Sequence, residues 1–226
     1  MAKKKISRKE LLKGTDEFLT LSNRAVNFFS AHLRGLKYFG IAIAVIVAGY
    51  LVMYGYMRHI NKSGQEVYNM AYNTLTDNLE PDVTPEKLKK AEELFASVID
   101  EYGMSKAARL ALPQVGHVKF VEKKYDDAIL FYDKFAAEVS GDKEYETLTS
   151  LALAGCYEAK GNLKKAILIL SPIVETPDNL FRETAMLSLE RVYRIDNQPE
   201  KANEILKKFV QEYKTSPFLP MAKARL

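Results

Sequence analysis

The sequence predicts an all-α protein, a single N-terminal transmembrane helix followed by a solenoid of repeated helix pairs. Three observations carry that expectation. Residues 38–57, YFGIAIAVIVAGYLVMYGYM, are twenty consecutive positions without a charge. From Ser63 onward apolar residues recur at the helical period of about 3.6, and no run of alternating β-branched residues suggests a strand. One short pattern returns four times, its alanines Ala91, Ala128, Ala166 and Ala202 spaced 37, 38 and 36 residues apart.

Composition bounds the answer further. A chain of 226 residues holds one globular domain with an addition, or two small ones, which excludes a large multidomain enzyme. Its 47% hydrophobic and 27% charged residues describe a folding chain rather than a disordered one or a polytopic transporter. The lone Cys156 cannot close an internal disulfide, so core burial must hold the fold. Charge is uneven: residues 1–37 carry nine Lys or Arg against three acids, whereas the net charge of the whole chain is only +4. The basic character therefore belongs to the leader, and the remainder is slightly acidic.

Residues 1–37 read as a basic cytoplasmic leader. Ser7 and Glu10 have the form of a capping box, and Gly14-Thr15-Asp16 offers a stop and a new N-cap. Phe18, Leu21, Ala25, Phe28, Phe29 and Leu33 then follow helical spacing, with Arg24 and Arg34 available to anionic headgroups. This predicts a helix lying on the membrane, so that residues 16–57 contact lipid; docking on another membrane subunit is the alternative. The run Lys3-Lys4-Lys5-Ile6-Ser7-Arg8-Lys9 fits this flank better than a nucleic-acid site.

Residues 38–57 are the transmembrane helix, since at about 1.5 Å per residue they cover the roughly 30 Å of a bilayer core. Tyr38 and Phe39 at one end and Tyr50, Tyr54 and Tyr56 at the other suit the two interfaces. A cleaved signal sequence has a shorter apolar run and ends at small residues, whereas Arg58-His59-Ile60-Asn61-Lys62 follows here. The excess of Lys and Arg before the span predicts an N-terminus in the cytoplasm and an exported body, periplasmic in a Gram-negative cell. Gly40, Ala44 and Ala48 align on one face, where another membrane helix can pack closely.

Residues 63–226 form the body, about four helix pairs and a short C-terminal helix opening near Pro217. The repeated segments are Lys90-Ala91-Glu92-Glu93-Leu94-Phe95, Asp127-Ala128-Ile129-Leu130-Phe131-Tyr132, Lys165-Ala166-Ile167-Leu168-Ile169-Leu170 and Lys201-Ala202-Asn203-Glu204-Ile205-Leu206. Thr84-Pro85 and Gln198-Pro199 open second helices, while Gly161-Asn162 and Pro177-Asp178 punctuate turns. Upstream, Leu153-Ala154, Tyr157, Gly161 and Ala166 occur in the order of the tetratricopeptide repeat, which this body resembles. Val115-Gly116 keeps the small residue but has Lys119 for the aromatic; Leu189-Glu190 keeps Tyr193 and loses the small residue; Trp is absent.

No catalytic or metal constellation is present. His32, His59 and His117 lie on separate segments, and no His-Glu-x-x-His, Cys-x-x-Cys or phosphate-loop pattern occurs. Asp126-Asp127 and Glu92-Glu93 read as solvated acids, and Cys156 as a small packed residue. No cofactor, nucleic acid or small-molecule substrate is expected. By the repeat's analogy the first helices line a concave face onto which His117 and Phe120, Gly155 and Glu158, and Arg191 and Arg194 project. Arg191 and Arg194, one turn apart, are candidates to hold a carboxylate. As surface residues they are expected to tolerate joint charge reversal without loss of stability.

With its basic leader, single span and repeat body, the chain resembles the YfgM family of bacterial inner-membrane proteins. The resemblance implies a non-enzymatic accessory factor beside the SecYEG translocon, acting with periplasmic chaperones on emerging polypeptides. A scaffold or accessory subunit of another inner-membrane complex is the alternative.

Overall fold

The computed structural model describes residues 20, 23, 24, 26–28, 30–76 and 84–226. Among these there is no strand, and the helices run α1 (Leu33–Thr76), α2 (Pro85–Glu101), α3 (Lys106–Val121), α4 (Tyr125–Glu138), α5 (Lys143–Ala159), α6 (Leu163–Glu175), α7 (Arg182–Ile195), α8 (Pro199–Glu212) and α9 (Leu219–Ala224). The chain divides into two compact units, Met1–Tyr56 and Met57–Leu226. The capping box at Ser7, the Gly14-Thr15-Asp16 stop and Phe18, Leu21, Ala25 and Phe29 of the leader stripe lie outside the described residues, as do residues 77–83.

In the first unit the apolar part of α1 is exposed along its length, with no residue of its most apolar window buried. By length and composition it is able to cross a membrane. Gly40, Ala44 and Ala48 are exposed, and a Cβ built on Gly40 would meet no atom within 4 Å. Residues 58–62, left between the span and the body by the sequence reading, are helical, and α1 runs through them to Thr76. That segment holds neither Gly nor Pro to stop a helix, and Asn61 Nδ2 donates back to the Met57 carbonyl at 2.7 Å.

In the second unit each helix from α2 to α9 packs on the next, and the end of α1 adds Ala71, with Val67, Tyr68 and Leu75 beside it, to the core cluster of Ala91, Phe95 and Val98. The four repeat alanines are all 0% exposed. Four residues on from each, Phe95, Tyr132, Leu170 and Leu206 are buried too, and seven on, Val98, Phe135, Ile173 and Phe209. Each second helix thus drives one stripe into the core, with an alanine as its smallest member. Gly116 shows the tightness: a Cβ there would come within 3.1 Å of the Tyr132 ring.

Replacing Ala128 or Ala166 by Leu is therefore expected to overpack the contact and cost about 1–3 kcal/mol. The exposed Ala137 should accept Leu with little change. Denaturant unfolding compares the three; equal, negligible effects would remove these alanines from the tight contacts.

The helix ends are closed by local chemistry. Thr84, Ser105, Asp142 and Asn162 accept from the backbone N–H three residues on, at 3.0–3.4 Å. Between the paired helices, Lys123, Gly161 and Asn197 all take positive φ, at 63°, 76° and 55°. The next amides, of Lys124, Asn162 and Gln198, reach back to the carbonyls of Lys119, Tyr157 and Tyr193 at 2.8–2.9 Å. Glycine and asparagine suit this conformation and announce the turn in the sequence; Lys123 adopts it because the packed pairs on either side impose it.

Candidate functional site

The end of α1 and the first helices α3 and α5 line a groove of about 340 Å³. Tyr68 of α1 forms one wall, Leu110, Pro113, Gln114 and His117 of α3 the middle, and Tyr145, Leu148, Thr149 and Ala152 of α5 the other wall, with Tyr132 and Phe135 of α4 beneath. The rings are held in place: Phe135 meets Tyr145 edge-on at 5.7 Å, and Tyr68 meets Phe95 at 5.3 Å. Burial raises the Tyr68 phenol above its ordinary pKa, and a hydrogen bond with Gln114 partly opposes this. Desolvation also pushes up Tyr132, so these two phenols stay neutral at physiological pH. The lining contains no Lys, Arg, Asp or Glu.

Larger clefts of about 690 and 630 Å³ lie around the α2–α3 and α4–α5 turns. Long charged side chains, Lys106, Arg109, Lys134, Glu138, Lys143 and Glu144, rim them, and a ligand would have to displace their hydration. The smaller groove, aromatic and uncharged, is the better binding surface.

Of the residues expected on this face, His117 lies in the groove and is exposed. Phe120 is half-buried against the core cluster of Ala128, Tyr132 and Cys156, its ring 5.5 Å from Tyr125. A Cβ on Gly155 would meet no atom within 4 Å. Glu158 and Arg191 face each other across α5 and α7, Nε to Oε1 at 2.7 Å and Nη2 to Oε2 at 2.9 Å, a bidentate pair. Arg194 donates to Glu190, to the Arg225 carbonyl at 2.8 Å and to Asn203 Oδ1 at 3.2 Å.

Both arginines thus hold carboxylates of their own chain, which corrects the expectation that joint reversal is stability-neutral. Arg194 neutralises Glu190, which is 0% exposed and accepts from Arg225 as well, at 3.0 Å. Glu190 stands where the repeat elsewhere puts Gly116 or Ala154, and the two arginines make a carboxylate tolerable there.

The other departures from the repeat pattern are compensated likewise. Lys119, in the aromatic's place, is mostly buried and pairs with Glu92 at 2.6 Å, so Glu92 is not simply solvated. Asp126 pairs with Lys160. Cys156 is fully buried and desolvation pushes its thiol up to about 11, the profile of a packing residue rather than a nucleophile. No group of three or more His, Cys, Asp or Glu able to hold a metal occurs among the described residues.

Sequence reasoning overlooked Tyr68, Gln114, Tyr145 and Leu148. The signal was available as periodicity, because Leu110, Pro113, Gln114 and His117 on α3, and Tyr145, Leu148, Thr149 and Ala152 on α5, repeat at i, i+3, i+4 and i+7.

Beyond the groove, Arg182 is buried, donates to the Val174 carbonyl at 2.7 Å and pairs with Glu212. That hydrogen bond holds the Glu212 carboxyl below the ordinary carboxylate range. A depressed carboxylate contributes stability above its unfolded pKa and loses it as pH falls through the folded value. Wild type should accordingly exceed Glu212→Gln in denaturant resistance at neutral pH, and the two should converge under acid. An unchanged gap at both pH values would remove the ion pair as its source.

The fold and face define a helical-repeat protein of the polypeptide-binding kind, with no constellation for catalysis among the described residues. Residues 36–176 match the tetratricopeptide repeat-like domain, and the chain belongs to that family. Among solved structures it is similar to a Podosopora anserina protein of nearly identical TPR-like repeats, named for the kinesin light chains. The match has a TM-score of 0.59 at 16% identity, covering 74% of this chain and 84% of that one. A second crystal structure of these repeats gives 0.57 at 16% identity, covering 72% and 82%. These likenesses concern the fold alone. A search of curated proteins finds no sequence match.

Proposed function

We propose that this protein is a non-enzymatic, membrane-anchored factor that holds uncharged, apolar segments of other polypeptides in the groove between Tyr68, Gln114 and Leu148. The observation that carries the reading is the lining itself. It offers aromatic faces, the Gln114 amide, the His117 ring and the hydroxyls of Tyr68, Tyr132, Tyr145 and Thr149, and no Lys, Arg, Asp or Glu. A charged segment would lose hydration there without gaining a partner, whereas an apolar segment buries area at about 25 cal/mol per Å². His117 lies at this surface; Glu158, Arg191 and Arg194 continue the same face, where a partner would compete with their internal pairs.

The charge count around the span supports a cytoplasmic N-terminus and an exported body. Combined with the YfgM-like organisation, this favours a bacterial inner-membrane protein working beside the SecYEG translocon with periplasmic chaperones on emerging chains. Anchoring would keep the groove at high local concentration near their source. A second reading, an accessory subunit of another inner-membrane complex, draws on the open surface around Gly40, Ala44 and Ala48.

The test uses the full chain in its membrane, with a photo-crosslinker at Leu148 and a periplasmic reporter after Arg225 or Lys13. Expected are adducts with exported polypeptides that diminish in Gln114→Glu, and reporter activity only after Arg225. Adducts indifferent to Gln114→Glu but abolished by Gly40→Leu with Ala44→Leu would replace this reading with the second one. Activity after Lys13 alone would overturn the orientation.

A further inference from the structure

Two residues after each repeat alanine, the second helices carry Glu93, Leu130, Leu168 and Glu204. The outer pairs place a carboxylate in water at this position. The central pairs place leucines there, 52% and 71% exposed. A single exposed leucine is ordinary; two at equivalent register on neighbouring pairs are a shared feature. Their charged surroundings differ in sign. On α4 the exposed residues preceding Leu130 are Asp126 and Asp127, and on α6 those preceding Leu168 are Lys164 and Lys165.

We propose that this face, carried by α4 and α6, binds a second copy of the chain in a two-fold symmetric dimer. A two-fold interface must be self-complementary, each element meeting one of opposite character and offering it in return. Successive second helices of a solenoid run the same way. A two-fold axis parallel to α4 and α6 and lying between them therefore sets α4 of one protomer on α6 of its partner at equal register. Leu130 then meets the partner's Leu168, Asp126 the partner's Lys164 and Asp127 the partner's Lys165, and each contact occurs twice.

The internal contacts of these groups leave capacity for such pairing. The Asp126 side chain is 84% exposed despite its bond to Lys160. Lys165 gives one hydrogen bond, to the Tyr157 hydroxyl at 2.6 Å, and an ammonium has three donors. An unrelated partner would need the same acidic and basic halves in reverse order, which a second copy supplies by symmetry alone. The groove of Tyr68 and Leu148 lies on the first helices and stays open.

The experiment co-expresses two differently tagged full-length chains in the membrane and oxidises them. Leu130→Cys in one and Leu168→Cys in the other should give a doubly tagged covalent dimer, while two Leu130→Cys chains should give about tenfold less; the native Cys156 is buried. Leu130→Asp with Leu168→Asp should lower the dimer fraction of the full chain in mild detergent by about tenfold at unchanged helix content. Equal yields from like and unlike cysteine pairs would overturn the arrangement. So would a monomeric wild type, adducts with a different protein in place of the dimer, or a dimer lost through Gly40→Leu and Ala44→Leu but not through the aspartates.

Discussion

Removing the guanidinium groups of Arg194 and Arg225 together is expected to destabilise the C-terminal pairs by about 3–5 kcal/mol, the cost of leaving a buried carboxylate without its cations. Glu190 has no exposed surface, and each of its oxygens is met by one arginine. Either single substitution to Ala should cost less, because the other arginine still faces the carboxylate. The informative variant is the triple one with Glu190→Ala. The repeat has Gly116 and Ala154 at this position, so Ala fits, and replacing a buried ionic cluster by apolar packing is often neutral. Stability lost in the double variant should return in the triple, a strong departure from additivity. Hydrogen exchange in α7–α9 of the full chain reads this directly. If the triple variant is no more protected than the double, the arginines act through contacts other than Glu190, such as the bond from Arg194 to the Arg225 carbonyl.

Much of the fold was legible in the sequence because it depends on volume and period, which composition displays. Ala91, Ala128, Ala166 and Ala202 marked the core-facing stripes, and all are buried. Thr84 and Asn162 cap as their residue types require. What was not legible depends on pairing between distant segments. Nothing local to Arg191 announces that Glu158, 33 residues earlier, occupies its guanidinium. Nor does the lysine at position 119 reveal that Glu92 lies across α2 and α3 to receive it. A departure from a repeat pattern was readable as a departure; its compensation came from another helix. The groove was missed for a different reason. The repeat's analogy directs attention to positions 117 and 120, whereas the exposed apolar stripe continues toward the N-termini of α3 and α5.

Phe209→Ala should cost about 3–5 kcal/mol, as truncation of a fully buried ring does, and the loss should stay confined to the C-terminal half. The core is divided. Phe209 packs in a cluster with Leu170, Met186, Leu189, Val192 and Ala222, whereas Phe95 belongs to another with Ala71, Ala91, Val98, Ala111 and Val115. In a linear stack of repeats, stability is roughly a sum of nearest-neighbour terms, so damage at one end need not propagate to the other. Hydrogen exchange on Phe209→Ala should therefore show α7–α9 opening while α2–α4 keep their protection. Phe95→Ala should do the reverse. The two variants also divide the function. The Phe95 ring stands 5.3 Å from Tyr68, a wall of the groove, so its loss should abolish segment capture, while Phe209→Ala leaves α3, the groove's middle, on an intact core. Uniform loss of protection in both variants would mean a single cooperative unit. Loss of capture in Phe209→Ala, with α2–α4 still protected, would move recognition to the face carried by α7 and α9.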